Sequence, residues 1–391
     1  MKRLRVGVIY GGRSGEHEVS LASAAAVIAN LDRARYEPVA IRIERDGRWT
    51  LPDRPPAAAI AAEAIEQARV ESARQLRPVR EVHLLPRPGD DTIVALDPAV
   101  PPRHAPAAAD LDTARVTRLG LDVIFPVLHG PYGEDGTVQG LLELANVPYI
   151  GAGVLASAVG MDKAVMKVVF AAQGLPTPAF EVVLRRTWLA SAEAVLAQLT
   201  ERFTLPVFVK PANLGSSVGI SKARDREGLR HALDLAAEFD RKLIVEAAVP
   251  NAREIEVGVI GNDEPAASVP GEIVPAGEFY DYDSKYLDGR SRTVIPAGLE
   301  PDLAERCRAL AVAAFRAVDA AGMARVDFLL DGGTGALFVS EINTIPGFTT
   351  ISMFSKLWEA TGLTYPELLD RLIALALERH AEKQQLRTSV F

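Results

Sequence analysis

The chain has 391 residues, 48% of them hydrophobic and 24% charged, with a formal net charge of −8. That composition excludes a disordered or fibrous chain and predicts two or three globular domains at roughly 100–200 residues each. An acidic chain gains nothing from releasing phosphate counterions, so no nucleic-acid partner is expected, although locally clustered lysines can still hold a small anion.

The single cysteine, Cys307, allows no internal disulfide, fits a reducing cytoplasm and lies in an apolar pattern that makes it a packing residue. The apolar run 6–10 is too short for a signal peptide and ends in two glycines. No later run approaches the ~20 apolar residues of a membrane span, so no membrane partner is expected.

Residues 4–10 read as a buried strand, followed by a glycine turn, a helix over 18–31 and a second strand over 37–44. This βαβ opening predicts a parallel sheet. Residues 51–118, rich in Ala, Pro and Arg, predict an irregular surface region with some strand near 81–85, and no function is legible in them. A strand over 121–128, a helix over 136–145 and a short strand over 148–150 complete the first part.

Beyond it the pattern predicts a helix over 161–173, strands at 180–184 and 207–210, and helices at 191–201 and 226–238. Strands then dominate from 254, a long helix covers 302–321, strands follow at 325–330 and 336–341, and the last helix ends near His380 before a fraying tail.

Six constellations carry chemistry. In KPANLGSSVG (210–219), Lys210 ends an apolar strand and a Gly/Ser loop follows. Backbone N–H groups and the Ser216 and Ser217 hydroxyls can donate to phosphate oxygens while the lysine adds a point charge. The order of lysine and glycines is not that of a P-loop. In ARVDF, Arg325 and Asp327 share one face of a strand, and Glu341 and Asn343 share a face of the next. If these strands pair, two carboxylates and an amide converge beside an arginine, a donor set suited to Mg²⁺ that also holds phosphates.

The loop TIPGFTTIS (344–352) places Gly347 where its N–H can meet an oxyanion and Ser352 at a helix start where a carboxylate can bind. In GGRSGEHEVS (11–20), Glu16 can hold a substrate ammonium, Glu18 and Ser20 read as helix-start residues and His17 as structural. In HGPYGEDG (129–136), His129 stands at the carboxyl end of a parallel strand, where ligands bind in open α/β sheets, and is open between substrate contact and structure. Glu134 and Asp135 read as organising the turn. The aromatic, charged segment FYDYDSKY (279–286) reads as a lid.

Together GGRSGEHEVSL, LHGPYGEDGTVQG, ASAVGMDK, FVKPANLGSSVGISK, NAREIEV, FYDYDSKY, ARVDF and EINTIPGFT resemble, in order, the D-alanine–D-alanine ligases of the ATP-grasp superfamily. The resemblance implies an α/β fold, α+β in its ATP-binding part: an N-terminal Rossmann-like parallel-sheet domain (1–162), a central ATP-binding domain (163–253), a C-terminal ATP-grasp domain (254–380) with a lid at 279–292, and a tail (381–391).

It implies ATP between two antiparallel sheets, with Lys163, Lys210 and Ser217 on the phosphates, Glu246 on the adenine and Glu254 on the ribose. It places two Mg²⁺ (or Mn²⁺) on Asp327, Glu341 and Asn343. Glu16, linked through Ser216 and Tyr286, takes the first D-alanine's ammonium. Lys285 touches the transferring phosphoryl group, Arg325 and the Gly347 amide take the oxyanion, and Ser352 takes the second D-alanine's carboxylate. A cytoplasmic homodimer making peptidoglycan precursor is implied.

One departure is visible: Glu246 and Glu254 stand one residue further apart than is usual, through Val249-Pro250-Asn251. The rivals are a ligase using D-lactate or D-serine, another ATP-grasp carboxylate–amine ligase, and a nucleotide-binding protein without catalysis. The retained Arg325, Asp327, Glu341 and Asn343 argue against the last.

Overall fold

The computed structural model describes residues 2–58, 62–64, 80–85, 88, 93–97, 115–274 and 292–387. The segment carrying Lys285 and Tyr286, and most of the expected lid, lie outside the described residues. Three sheets organise the described residues.

The first begins with β1 (Leu4–Gly11), which pairs in parallel with β2 (Tyr36–Ile43) across the helix α1 (His17–Asn30). β1 is nearly all apolar because it is central and covered on both faces. The full strand order is β6-β5-β4-β3-β2-β1-β7, with β3 (Trp49–Leu51), β4 (Arg80–Leu84), β5 (Ile93–Asp97), β6 (Arg115–Arg118) and β7 (Val123–Val127).

Only β2, β1 and β7 are mutually parallel; β3 to β6 add on antiparallel. The expected parallel sheet is thus its inner part alone. The reason is chain length: residues 44–48 are too few for the crossover of a dozen or more residues that a parallel neighbour needs. The irregular region therefore supplies three strands, of which one was expected. The short strand expected at 148–150 is a single parallel bridge from Ile124 to Tyr149.

After α2 (Thr137–Ala145), a helix that was not expected, α3 (Val154–Met161), comes before the one expected over 161–173, which is α4 (Lys163–Ala172). Asp162 leaves helical geometry between them and caps α4, its carboxylate accepting from Val165 N at 3.1 Å and pairing with Lys242.

The second sheet is antiparallel in the order β10-β9-β11-β8, from β8 (Phe180–Leu184), β9 (Val207–Pro211), β10 (Ser221–Ala223) and β11 (Lys242–Ala247). Helices α5 (Arg185–Ala190), α6 (Ala192–Arg202) and α7 (Arg226–Phe239) supply the rest of this unit. In α7, Leu229, Ala232, Leu233 and Ala236 recur at helical spacing and are buried against the core shared with Val207 and Val209.

The third sheet runs β15-β14-β12-β16-β17, also antiparallel, with β12 (Ala252–Gly261), the short β13 (Ala266–Ala267) beside it, β14 (Gly271–Val274), β15 (Arg292–Val294), β16 (Gly322–Asp331) and β17 (Leu337–Asn343). Helix α8 (Pro301–Ala317) covers it and carries Cys307, which is fully buried with its thiol pushed up to about 11 by burial, the packing residue expected.

Helices α9 (Met353–Thr361) and α10 (Tyr365–Lys383) close the chain. The last helix runs past His380, because Lys383 pairs with Glu143 and Gln384 donates to Asn146 at 2.6 Å. Leu368, Leu369, Leu372 and Ile373 of α10 share one core with Val27 and Ile28 of α1 and with Val6, Val8 and Phe125. No helix among the described residues is long and apolar enough to cross a membrane.

Candidate active site

The second and third sheets face one another across a cleft, and its floor is set by lysines. β9 ends with Lys210, whose Nζ donates to Glu246 Oε2 on the neighbouring β11 at 2.7 Å. The other oxygen, Oε1, lies 3.3 Å from Nζ of Lys167 on α4. Burial alone would raise the Glu246 acid, but Lys167 and Lys210 outweigh it and hold the carboxyl down at about 2. Burial likewise disfavours the Lys210 ammonium, and Glu246 reverses this, holding it above its ordinary value. Lys163, one turn before Lys167, donates to Leu214 O at 2.7 Å and stands 3.7 Å from Glu341.

The Gly/Ser loop that follows β9 is bent by two non-glycine residues in left-handed backbone, Ser216 (φ 50°) and Ser217 (φ 59°). Such conformations cost energy and persist where the surroundings enforce them. Here the enforcement is visible: Ser216 Oγ donates to Glu16 Oε1, joining the loop to the turn after β1. Gly215 permits that approach, since a Cβ there would lie 2.9 Å from Glu16 Oε2.

In the third sheet, β16 and β17 pair so that Asp327 faces Glu341 and Arg325 faces Asn343. The convergence expected from strand alternation is therefore present. Arg325 grips Asp327 with two bonds of 2.7 Å, and Asn343 Nδ2 donates to Asp327 Oδ2 at 3.0 Å. Glu256 on β12, opposite Asp327, approaches Arg325 at 3.1 Å. Among the described residues no three His, Cys, Asp or Glu side chains form a ready-made cation cage. Two carboxylates and an amide oxygen nonetheless fit Mg²⁺, which keeps waters and phosphate oxygens in its shell rather than requiring a protein cage.

Two cavities, each of about 830 Å³, share Ser217, Ile220 and Glu341 in their walls and form one continuous cleft. That size suits a small-molecule site. Lys210, Glu246, Glu254 and Asp327 line one half; Glu16, His129, Lys163, Ser216, Arg325 and Gly347 are in the wall of the other. Ser352 stands behind Gly347, its hydroxyl accepting from Thr349 N at 3.0 Å.

His129 is 5% exposed, with Nδ1 3.1 Å from Ile345 O and Nε2 3.3 Å from Ser23 Oγ. Burial lowers its basicity. Ser20 lies in the first turn of α1, as expected, and also bridges strands, its hydroxyl accepting from Gly11 N at 2.8 Å and donating to Val127 O. Glu18, also expected at the start, pairs with Arg45. His17 is structural as expected, its Nδ1 2.8 Å from Gly12 O. Asp135 holds its turn by accepting from Tyr132 N and Thr137 N.

Glu134 holds its own turn by accepting from Gly130 N at 2.8 Å, and it also faces the cleft. Burial first, then the neighbouring Glu16 charge, raises its acid to about 8. Between the ordinary value of 4.5 and about 8 the folded chain holds a proton that the unfolded chain has lost. By linkage, this group's contribution to stability falls as pH rises across that window. Glu134→Gln is therefore expected to raise the melting temperature at pH 8.5 relative to the parent and to leave it little changed at pH 4.5. Equal shifts at both pH values would refute the assignment.

Residues 5–152 match the D-ala D-ala ligase N-terminus family and residues 169–374 the D-ala D-ala ligase C-terminus family. The chain belongs to the D-alanine–D-alanine ligase family. The D-alanine–D-alanine ligase of Heliobacterium modesticaldum is 49% identical over 391 residues, covering 99% of this chain and 98% of that one. The structure of the D-alanine–D-alanine ligase from Coxiella burnetii superposes with a TM-score of 0.78 at 36% identity, covering 98% and 97% of the two chains. The VanG D-Ala:D-Ser ligase from Enterococcus faecalis superposes with a TM-score of 0.78 at 31% identity, covering 96% and 100%.

Within this ligase-family cleft, Lys167 and Glu256 were not singled out from the sequence. Signals existed for both: Lys167 lies four residues after Lys163 on one helix, and Glu256 alternates with Glu254 along one strand face.

Proposed function

We propose that this chain joins two D-alanines into D-alanyl-D-alanine for peptidoglycan precursor synthesis, consuming ATP, with the cleft between the second and third sheets as its active site. The observation that carries the assignment is the Glu16–Ser216 bond beside the Arg325–Asp327 grip, within one cleft. It sets an anchor for an ammonium next to a cation that can receive negative charge.

Lys163, Lys210 and Ser217 hold the ATP phosphates, and Glu246 and Glu254 lie along its adenosine end. Glu16, oriented by Ser216 and by Tyr286, takes the ammonium of the first D-alanine, and His129 lies in the same wall. The first carboxylate attacks the γ-phosphorus, ADP leaves and an acyl phosphate forms. Lys285 contacts the phosphoryl group in transit. Asp327, Glu341 and Asn343 would hold two Mg²⁺ (or Mn²⁺), which supply charge neutralisation to the phosphates.

Ser352 holds the carboxylate of the second D-alanine, whose amine, once its ammonium has lost a proton, attacks the acyl carbon. Arg325 and the Gly347 N–H receive the oxyanion, and phosphate departs. Residues 279–292 exclude water, which would otherwise consume the acyl phosphate. The working division is 1–162, 163–253 and 254–380, in a cytoplasmic homodimer.

A D-Ala:D-Ser activity is the second reading, motivated by the superposition on VanG. Phosphate release from ATP and Mg²⁺ is to be followed with D-alanine, L-alanine, and D-alanine plus D-serine or D-lactate, with products identified by mass. D-alanine-dependent release with dipeptide product supports the first reading. A mixed product dominating at equal concentrations supports the second, and no turnover with D-alanine overturns both.

A further inference from the structure

Lys167 stands outside the set of residues given a role above, yet it is among the most enclosed charges in the molecule, 1% exposed. A buried ammonium is costly unless paired and hydrogen-bonded. Its Nζ has two partners on two different sheets: Glu246 Oε1 on β11 at 3.3 Å and the backbone oxygen of Ser340 on β17 at 3.0 Å. Lys163 and Lys167 lie four apart on α4 and so project from one face. The first reaches the Gly/Ser loop at Leu214 O, the second ties the two sheets together beneath the cleft.

Each partner matters for a separate reason. Glu246 offers one oxygen to Lys210 and the other to Lys167. Were Lys210 its sole counterion, turning that ammonium toward a phosphate would leave a buried carboxylate uncompensated, which is strongly unfavourable. With Lys167 in place, Glu246 keeps a cation of its own when Lys210 turns toward a ligand.

Ser340 is the extra residue of a bulge. Asp327 pairs with Glu341 and Phe328 with Val339, so Ser340 is left without a partner position across the ladder. Bulges re-aim side chains, and this one brings Glu341 opposite Asp327. The Lys167 ammonium fixes the bulged carbonyl.

We propose that Lys167 is a positioning residue for nucleotide use, which neutralises Glu246 so that Lys210 can serve phosphate and pins the β17 bulge that aims Glu341 at the metal-bearing side of the cleft. This rests on the nucleotide site proposed above. Its consequence is a defect in nucleotide affinity and Mg²⁺ requirement that leaves D-alanine recognition alone.

The test compares the full-length parent with Lys167→Met, Lys167→Arg, Glu246→Gln and the Lys167→Met/Glu246→Gln double variant. Readouts are calorimetric ADP affinity in EDTA and in Mg²⁺, the free Mg²⁺ for half-maximal turnover, the KM values for ATP and D-alanine, and thermal unfolding. Lys167→Met is expected to weaken ADP binding by roughly 10²-fold, as for a buried charge losing its partner. It should also raise the Mg²⁺ requirement while the KM for D-alanine stays within about twofold. In the Glu246→Gln background the same substitution should cost about threefold or less, because the carboxylate it serves is gone.

A folded Lys167→Met protein with parental ADP affinity and Mg²⁺ requirement overturns the proposal, and so do additive losses in the double variant. Should Lys167→Met not fold, Lys167→Arg decides: retained ADP affinity with a shifted Mg²⁺ requirement supports the role, and a D-alanine KM that moves as far as the nucleotide affinity overturns it. A parent that binds ADP but makes no dipeptide refutes the ligase reading and leaves the affinity comparison intact.

Discussion

Replacing Arg325 by alanine is expected to cut turnover by about 10²–10³-fold, the usual loss when an oxyanion donor is removed. The surroundings add a second effect. Arg325 is the common partner of Asp327, at 2.7 Å through two bonds, and of Glu256, at 3.1 Å. Its removal leaves carboxylates facing one another, and breaking a buried ion pair costs about 3–5 kcal/mol of stability. Arg325→Lys separates the two. It keeps the charge but loses the planar fork that grips Asp327 on both nitrogens, so it should melt near the parent while turnover stays far below it. Steady-state rates and melting curves for both variants check this. Near-parental turnover in Arg325→Lys would remove the guanidinium from the chemistry.

Phe348→Ala is expected to destabilise the fold by about 3–5 kcal/mol, the range for truncating a buried aromatic. Phe348 is fully buried, its ring 5.4 Å from those of Phe125 and Phe354 and 6.3 Å from that of Tyr365. Its backbone is fixed as well, the N–H donating to Ser23 Oγ at 3.3 Å and the carbonyl accepting from Tyr365 OH at 2.5 Å. Because Gly347 precedes it directly, the ring is what holds that amide against the cleft. Denaturant unfolding should show the loss, and turnover of the still-folded fraction should fall too. A variant that loses stability yet keeps full turnover per folded molecule would show that the amide is positioned by something else.

The legible parts of the sequence were those where local chemistry and strand period agree. Arg325, Asp327, Glu341 and Asn343 could be placed together because alternation along two strands leaves few ways to pair them, and the pairing found is the expected one. The end of the strand at Lys210 and the turn after it were legible because an apolar run there gives way to Gly and Ser residues. By contrast, β5 and β6 were missed, since their register depends on a sheet edge formed elsewhere in the chain. Lys167 was missed because a lysine in a helix ordinarily points to solvent, and only the packing of α4 between two sheets encloses it. Ser20 lies at the helix start as expected, but its bridging of β1 and β7 through the hydroxyl depends on a strand more than a hundred residues away and was not legible.

The core that joins the last helix to the first strands bears on how this chain comes into being. A ribosome delivers β1, α1 and β7 long before it delivers residues 365–383, yet Val27, Ile28 and Phe125 share their core with Leu368, Leu369, Leu372 and Ile373. The opening βαβ unit therefore keeps one apolar face uncovered until residues 365–383 have been made. The same helix contact holds the backbone next to Gly347 in place, since Tyr365 OH donates to Phe348 O.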